Sequence, residues 1–190
     1  MPRKPSFDRD DLIDRARTVF WNRGWAGTSL KDLERTLNLR PGSFYAAFGS
    51  KDALYELAMD RYAEDGQGRL TELAEELGPL GALKAQPHLV LESTANSAKA
   101  CMLAKTFLEL NAHGHPLAVR AGAHLSQMEA LFAKLFQQAQ GDGEIGSQHD
   151  PVHLARRYQS DLLGMRLSAE RADVDATAIA DEITESLTKL

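Results

Sequence analysis

Residues 20–54 read FWNRGWAGTSLKDLERTLNLRPGSFYAAFGSKDAL and carry the start and stop signals of two short helices joined by a tight turn. Ser29 and Asp32 have the three-residue spacing of a capping box at a helix N-terminus. Asn38 tolerates the left-handed backbone that a tight turn needs. Pro41 fits the first turn of the next helix, where a missing N–H costs nothing. The stretch therefore predicts a helix-turn-helix.

The helices on either side of the turn are predicted from their apolar stripes. Between Asp8 and Arg23 apolar residues recur at helical spacing, and Gly24 is placed to end that helix. After the turn, Phe44 and Phe48 are four residues apart and share one side of their helix. The other side consists of small residues and one tyrosine: Gly42, Ser43, Tyr45, Ala46 and Ala47. Such a helix can approach another surface very closely.

The remainder of the chain reads as helices, without the alternation of apolar and polar residues that marks a strand. A fourth helix begins at Ser50 and Lys51, and its pattern extends to Leu77, with Gly66 and Gly68 as the alternative point at which it would end. Further helices are predicted over 83–94, from 99 or 101 to 111, over 117–140 and 151–168, and from 173 or 175 to 189. We therefore expect an all-α fold of about nine helices, with an N-terminal three-helix domain and a larger C-terminal body.

The same stretch strongly resembles the DNA-binding domain of the tetracycline-repressor (TetR) family, over roughly residues 8–62. The positions that carry the resemblance are Phe20, Gly24, Thr28, Gly42, Ser43, Phe44, Tyr45, Phe48, Ser50, Lys51 and Leu54. The resemblance implies a homodimeric transcriptional regulator, usually a repressor, that binds a pseudo-palindromic operator in double-stranded DNA and is released by a small-molecule effector. It implies a DNA-binding domain at 1–50, an effector-binding and dimerisation domain at 51–190, and no enzymatic activity.

Charge is distributed unevenly along the chain. The formal net charge is -5, yet residues 1–50 hold 9 Lys and Arg against 6 Asp and Glu, and the remaining residues hold 13 against 21. The positive charge thus lies with the helix-turn-helix, as expected of a domain that binds phosphates. Arg3, Lys4 and Arg9 offer either a basic arm for DNA or a merely solvated start of the chain.

The resemblance assigns DNA contacts to the second and third helices and to the start of the fourth. Lys51 and Tyr45 are expected at phosphates, and the small residues of the third helix at base edges. Many relatives carry a basic residue at the position of Pro41 and His, Tyr or Arg at those of Ala46 and Ala47, so apolar contact dominates here. The predicted contact set is Thr28, Ser29, Lys31, Arg40, Pro41, Gly42, Ser43, Tyr45, Ala46, Ala47 and Lys51.

Cys101 is the single cysteine, which excludes an internal disulfide and fits a reducing cytoplasm. It resembles the cysteine of a Gly-Cys-Leu segment that opens the sixth helix in one branch of the family and senses electrophiles and oxidants. A helix N-terminus and a nearby Lys99 or Lys105 would favour the reactive thiolate. A free cysteine is also a common small core residue. The sequence leaves a thiol-sensing repressor and a structural cysteine as alternatives.

The C-terminal body is expected to hold an effector pocket and a dimer interface. The predicted pocket residues are Cys101, Leu103, Phe107, Met128, Phe132, Tyr158, Leu162 and Met165. The predicted interface residues, on the last two helices, are Leu154, Tyr158, Leu162, Ile179, Ile183 and Leu187. A stripe of aromatic residues and methionines is more often ordinary core, and a single chain can also bury the stripes of the last two helices.

The sequence indicates no cofactor, no metal site and no membrane span. No run of 18 apolar residues exists, and His113 and His115 with Glu109 lack a clear further ligand. The absence of a phosphate loop or paired-carboxylate motif disfavours an enzyme. The remaining alternative is a helical interaction protein that does not bind DNA, and salt-dependent DNA binding separates it from a cytoplasmic regulator.

Overall fold

The structure is a computed structural model that describes residues 8–92 and 98–190. Within these residues it contains nine α-helices, a 3-10 turn at Asn111–His113 and no strand, so the all-α prediction is confirmed. The helices are α1 Arg9–Arg23, α2 Leu30–Leu37, α3 Pro41–Phe48, α4 Lys51–Leu77, α5 Pro79–Glu92, α6 Met102–Leu110, α7 Pro116–Gly141, α8 Pro151–Ser168 and α9 Ala176–Thr188. Arg3 and Lys4 of the proposed basic arm lie outside the described residues, and Arg9 begins α1.

The helix-turn-helix forms through the local signals that the sequence contains. The hydroxyl of Ser29 accepts a hydrogen bond from the backbone N–H of Asp32, whose carboxylate accepts one from the N–H of Ser29 in return. Asn38 ends α2 with a left-handed φ of 54°. Pro41 is the first residue of α3. These caps satisfy backbone donors and acceptors that the ends of short helices would otherwise leave unpaired.

The start of α5 differs from its sequence pattern, whereas α4 continues to Leu77 as its pattern extends. The helix predicted from Leu83 begins one turn earlier, at Pro79, because Gly78 turns the chain with a φ of 75° and proline suits the first helical position. Gly66 and Gly68 do not interrupt α4. A Cβ at Gly66 would lie 3.5 Å from the methyl carbon of Met128, so α4 packs closely on α7 there. Such packing outweighs the low helix propensity of glycine.

The buried side chains form two clusters, and α4 and α7 contribute to both. The first cluster joins α1–α3 to the start of α4, to α6 and to the start of α7. The second joins the end of α4 to α5, the rest of α7, α8 and α9. The division of the chain at residues 50 and 51 stays a prediction. In the described part of the chain, no helix combines the length and apolar character needed to cross a membrane.

Candidate DNA-binding surface and ligand cavity

The outer side of α3 is an exposed surface of small residues. Arg40, Pro41, Gly42, Ser43 and Ala46 are exposed and Ala47 is half-buried. Phe44 and Phe48 lie beneath them in the core. A Cβ at Gly42 would meet no atom within 4 Å, so nothing in the described chain covers this surface. The arrangement leaves the backbone of α3 open to close approach by a groove-shaped partner.

Tyr45 is the large side chain on this surface. It is 50% exposed, and its ring meets the ring of Phe44 edge to face at a centroid distance of 5.7 Å. The guanidinium of Arg9 lies 5.5 Å from the ring centroid of Phe48, which brings positive charge beside α3. Lys31 of α2 is exposed as well. Polar and cationic groups therefore surround the small-residue surface.

Two predicted contact residues have hydroxyl groups engaged within the protein. Thr28 is fully buried, and its hydroxyl donates to the backbone carbonyl of Gly24 at 2.8 Å. Ser29 is exposed, and its hydroxyl donates to a carboxylate oxygen of Asp32 at 2.6 Å. Both side chains hold the turn between α1 and α2, which leaves their exposed neighbours to meet a partner.

Lys51 points into the same turn. Its ammonium donates to the carbonyl oxygens of Trp25 at 2.7 Å and of Thr28 at 3.0 Å, and it lies 3.8 Å from the centre of a Trp25 ring. Burial lowers the pKa of this ammonium, although Asp52 and Glu109 partly oppose the shift. Lys51 therefore fastens the start of α4 to the turn that precedes α2.

A second set of contacts fastens α1 to α6. The carboxylate of Glu109 accepts hydrogen bonds from the backbone N–H groups of Trp25 at 3.1 Å and Ala26 at 2.7 Å. The ammonium of Lys105 donates to the carbonyl of Trp21 at 2.7 Å. Sequence reasoning considered these two α6 residues only for metal binding and thiol activation, because no local pattern shows which turn a distant helix will meet.

A cavity of about 770 Å³ lies between α4, α5, α7 and α8, and α1 and the start of α6 complete its wall. Of the predicted pocket residues, those that line it are Cys101, Leu103, Met128, Phe132 and Leu162. The other predicted residues are placed elsewhere. Phe107 packs beside Gly122, Tyr158 is buried with its hydroxyl donating to the carbonyl of Leu83 at 2.6 Å, and Met165 lies in the core.

Cys101 and Tyr62 meet at one wall of this cavity. Cys101 is 8% exposed and precedes the first residue of α6. The hydroxyl of Tyr62 donates to its sulfur at 3.7 Å. Burial, and after it the neighbouring Cys101, raises the pKa of Tyr62, so its phenol is a neutral donor at physiological pH. Tyr62 and Arg166 line the cavity but were not predicted as site residues.

The histidine pair has other partners. A ring nitrogen of His115 accepts a hydrogen bond from the backbone N–H of Leu117 at 3.2 Å, and the other lies 3.6 Å from a carboxylate oxygen of Asp52. His113 is exposed in the 3-10 turn. Among the residues that the structure describes, no group of three or more His, Cys, Asp or Glu could hold a metal ion.

The apolar residues predicted for the dimer interface lie largely inside the single chain. Tyr158, Leu162, Ile183 and Leu187 are buried, and Leu154 and Ile179 are half-buried and pack on the same core cluster. The opposite side of α8 presents two exposed apolar side chains, Val152 and Leu167, and the open position Gly164.

The amino-acid sequence is similar to those of known transcriptional regulators. Residues 12–58 match the profile of bacterial regulatory proteins of the tetR family. The chain is 28% identical to the uncharacterised helix-turn-helix transcriptional regulator YezE of Bacillus subtilis, over the whole of both proteins. It is 26% identical to the transcriptional repressor ComR of Escherichia coli over 86% of this chain and 80% of ComR.

The fold also matches solved structures. A cysteine mutant of the TetR-family regulator CifR, complexed with a 26-bp operator duplex, superposes with a TM-score of 0.83 over 97% of each chain at 24% identity. A TetR-family regulator from Cytophaga hutchinsonii gives a TM-score of 0.78 at 25% identity, over 95% of this chain and 91% of its own.

Proposed function

We propose that this protein, which belongs to the tetR family of bacterial regulatory proteins through its N-terminal domain, is a ligand-responsive repressor of transcription. It binds a pseudo-palindromic operator as a homodimer in the cytoplasm and leaves it when an effector occupies the body. Its relatives are transcriptional regulators, which are not enzymes.

The observation that carries the proposal is the exposed outer side of α3. Its small residues allow the helix backbone to enter a major groove, and Tyr45 can donate to a phosphate at the groove edge. With alanine at positions 46 and 47, contact with thymine methyl groups replaces hydrogen bonds to bases. Arg40 and Lys31 are the nearest exposed cations for polar contacts.

In a dimer, the second copy provides a second DNA-binding domain. One small domain makes too few contacts to select a site, whereas two copies about 34–36 Å apart would meet successive major grooves on one face of the duplex. The outer side of α8, with Val152, Gly164 and Leu167, supports the body as the place where two copies pair.

Helix α6 offers a path from the effector to the DNA. At its start, Cys101 and Leu103 line the cavity. Further along, Lys105 holds the backbone of α1 at Trp21, and Glu109 holds the turn that follows α1. A ligand that fits the cavity better in one position of α6 than in another would move α1 and α4 together and change the separation of the two DNA-binding domains. The effect requires unequal affinity for two conformations.

A second candidate is a repressor regulated by modification of Cys101. It is favoured by the position of the sulfur on the cavity wall beside Tyr62. In this case an electrophile that enters the cavity would replace the reversible effector. An adduct on the sulfur would displace the start of α6 and act through the same contacts with α1.

Selection from random duplex DNA, read by sequencing, tests the proposal. An enriched palindrome, bound less tightly as salt rises, is the expected result. A parallel sample pretreated with N-ethylmaleimide, repeated with Cys101→Ser, separates the two candidates. Loss of enrichment in the wild type alone supports thiol sensing, and unchanged enrichment supports a reversible effector. No enrichment in the untreated protein would contradict DNA binding and favour the helical interaction protein.

A further inference from the structure

Arg166 stands out among the polar groups of the cavity. Its Nε donates to the backbone carbonyl of Lys99 at 2.8 Å, and its guanidinium carbon lies 5.7 Å from a Trp21 ring centre. Its Nη2 is buried without a hydrogen-bond partner, and within the described residues no carboxylate pairs with the guanidinium. Burying a charged donor atom without a hydrogen-bond partner is costly unless an anion meets it.

Among the other charged groups of the lining, Arg69 is exposed, and the half-buried groups have partners. Arg17 forms an ion pair with Asp65, and His124 lies 2.8 Å from a carboxylate oxygen of Asp60. Glu72, Glu76 and Glu92 are exposed at the outer part of the lining. Among the described residues that line the cavity, no carboxylate therefore forms an ion pair with Arg166.

The walls near Arg166 suit an amphiphilic molecule. The hydroxyl of Tyr62, a neutral donor, lines the same cavity and donates to the weakly accepting sulfur of Cys101. It also lies close to the guanidinium of Arg166, which partly offsets the rise in the pKa of Tyr62. The apolar lining comes from Leu103, Met128, Phe132 and Leu162. Two donors beside an apolar wall match a carboxylate attached to a hydrocarbon or aromatic group.

We infer that the cavity binds a small organic carboxylic acid, whose carboxylate accepts hydrogen bonds from Nη2 of Arg166 and from the hydroxyl of Tyr62. Its hydrocarbon part lies against the apolar wall. This names the chemical class of the effector and rests on the proposed function for its regulatory meaning, although binding itself does not require DNA.

Calorimetric titration of the full-length protein without DNA tests the inference. The probes are 2-naphthoate and 4-phenylbutyrate, each compared with its neutral amide, at concentrations up to about 1 mM. We expect at least one acid to bind about tenfold or more tightly than its amide, because only the acid gains a charge-assisted hydrogen bond. Equal affinities for acid and amide, or no measurable binding of either acid, would overturn the inference.

Substitutions locate the site. Arg166→Met should abolish the preference for the acid, and Tyr62→Phe should reduce it about threefold. Arg157→Met is the matched control, because Arg157 lies on the same helix, does not line the cavity, and should leave the preference unchanged. If Arg166→Met does not fold, the acid and amide comparison in the wild type and the Tyr62→Phe result still decide the matter. A preference that survives in folded Arg166→Met would overturn the assignment.

The regulatory meaning has a separate readout. Operator fragments from the selection experiment are titrated with and without the acid that binds. Release in the wild type but not in Arg166→Met supports the acid as effector class. If the acid binds through Arg166 but leaves operator affinity unchanged, the cavity assignment stands and its role as effector falls. If no operator exists, the proposed function fails while the calorimetric result is unaffected.

Discussion

Tyr45 is the exposed residue whose substitution we expect to weaken DNA binding most directly. Half of its surface is exposed and its ring rests against Phe44, so Tyr45→Ala should leave the fold intact. We expect operator affinity to fall about tenfold through the lost phosphate contact and ring packing. Tyr45→Phe should keep most of the packing and lose only the hydroxyl. Fluorescence anisotropy with a labelled operator measures both.

The control for this prediction is Val119→Ala, which removes an exposed apolar side chain on α7. Its operator affinity should equal that of the wild type. If Tyr45→Ala also binds with unchanged affinity, Tyr45 does not belong to the interface.

Lys51 leads to a different prediction, because its ammonium is held by the carbonyl oxygens of Trp25 and Thr28. Lys51→Met keeps most of the unbranched apolar stem but leaves both carbonyls without this donor. We expect the free energy of unfolding to fall by about 1–2 kcal/mol, the range for partly exposed hydrogen bonds to a charged group. Chemical denaturation followed by circular dichroism measures it.

The salt dependence of DNA binding can contradict this structural role of Lys51. If its ammonium instead contacts a phosphate, Lys51→Met should reduce the slope of log affinity against log salt by about one unit with little loss of stability. An unchanged slope with reduced stability agrees with the structure.

The sequence predicts the structural role of a residue correctly where its interaction partners are near in the chain. Ser29 hydrogen-bonds to a residue three positions on, Asn38 sets its own backbone conformation, and Pro41 fits the first helical position because its own nitrogen carries no hydrogen. Thr28 and Lys51 were singled out, but their hydrogen bonds run inward, to the turn at the end of α1. Whether the polar group of such a residue bonds within the protein or faces solvent depends on how the helices pack against one another. A local sequence pattern does not contain that information.

Among the helices, α6 is the element on which the coupling of body and DNA-binding domain depends. Glu109→Ala removes the acceptor of two backbone N–H groups at the end of α1 and should lower the free energy of unfolding by about 2 kcal/mol. Glu109→Gln keeps one carbonyl oxygen and should cost less. In operator titrations, Glu109→Ala should respond more weakly to effector than the wild type. An undiminished response would place the coupling in another element.

Helices α4 and α7 are joined by Asp60, which accepts hydrogen bonds from Arg120 at 2.7 and 2.6 Å and lies 2.8 Å from His124. Burial raises the pKa of Asp60, but the hydrogen bonds and charges of these two partners outweigh it, and the net pKa is lowered. A lowered pKa means that the ionised form stabilises the fold at neutral pH. That contribution is lost as pH falls below about 4, through the pKa of the folded state.

Asp60→Asn should therefore lower the free energy of unfolding by about 1 kcal/mol at pH 7, a value reduced by the partial exposure of the pair. The difference from the wild type should shrink towards pH 3. Denaturant titrations across this range measure it. Asp161→Asn removes an exposed partner of Arg157 on α8 and should show no such pH dependence. A difference that stays constant with pH would rule out ionisation as its source.

Apolar periodicity predicted most helices of the body, but it did not identify what each stripe packs against. The apolar stripes predict Tyr158 and Ile183 at a surface between two chains, whereas the fold buries both inside one chain. A stripe has the same spacing in either case, because both partners are apolar. The start of α5 was missed for a related reason, since Gly78 and Pro79 signal a break and also permit an immediate new helix.

In the complete molecule, the proposed pairing of two copies has to use surface that the single chain does not consume. On α8, Val152, Gly164 and Leu167 fall within about a third of the helix circumference, opposite the buried stripe. A Cβ at Gly164 would meet no atom of the described chain within 4 Å. A large residue there is therefore compatible with the folded monomer and would obstruct a partner that approaches closely.

Gly164→Arg should convert the dimer to a monomer without loss of helix content, because an exposed helical glycine gains propensity on replacement. Sedimentation velocity should show one species of half the mass, and affinity for the full palindrome should fall at least about a hundredfold as the second domain is lost. Val119→Arg, at an exposed position of α7, should remain dimeric and bind normally. If Gly164→Arg stays dimeric, the outer side of α8 is not the interface. If the variant is monomeric yet binds the palindrome at full affinity, a single DNA-binding domain is sufficient for operator recognition. In that case a change in the separation of two domains cannot explain release by an effector.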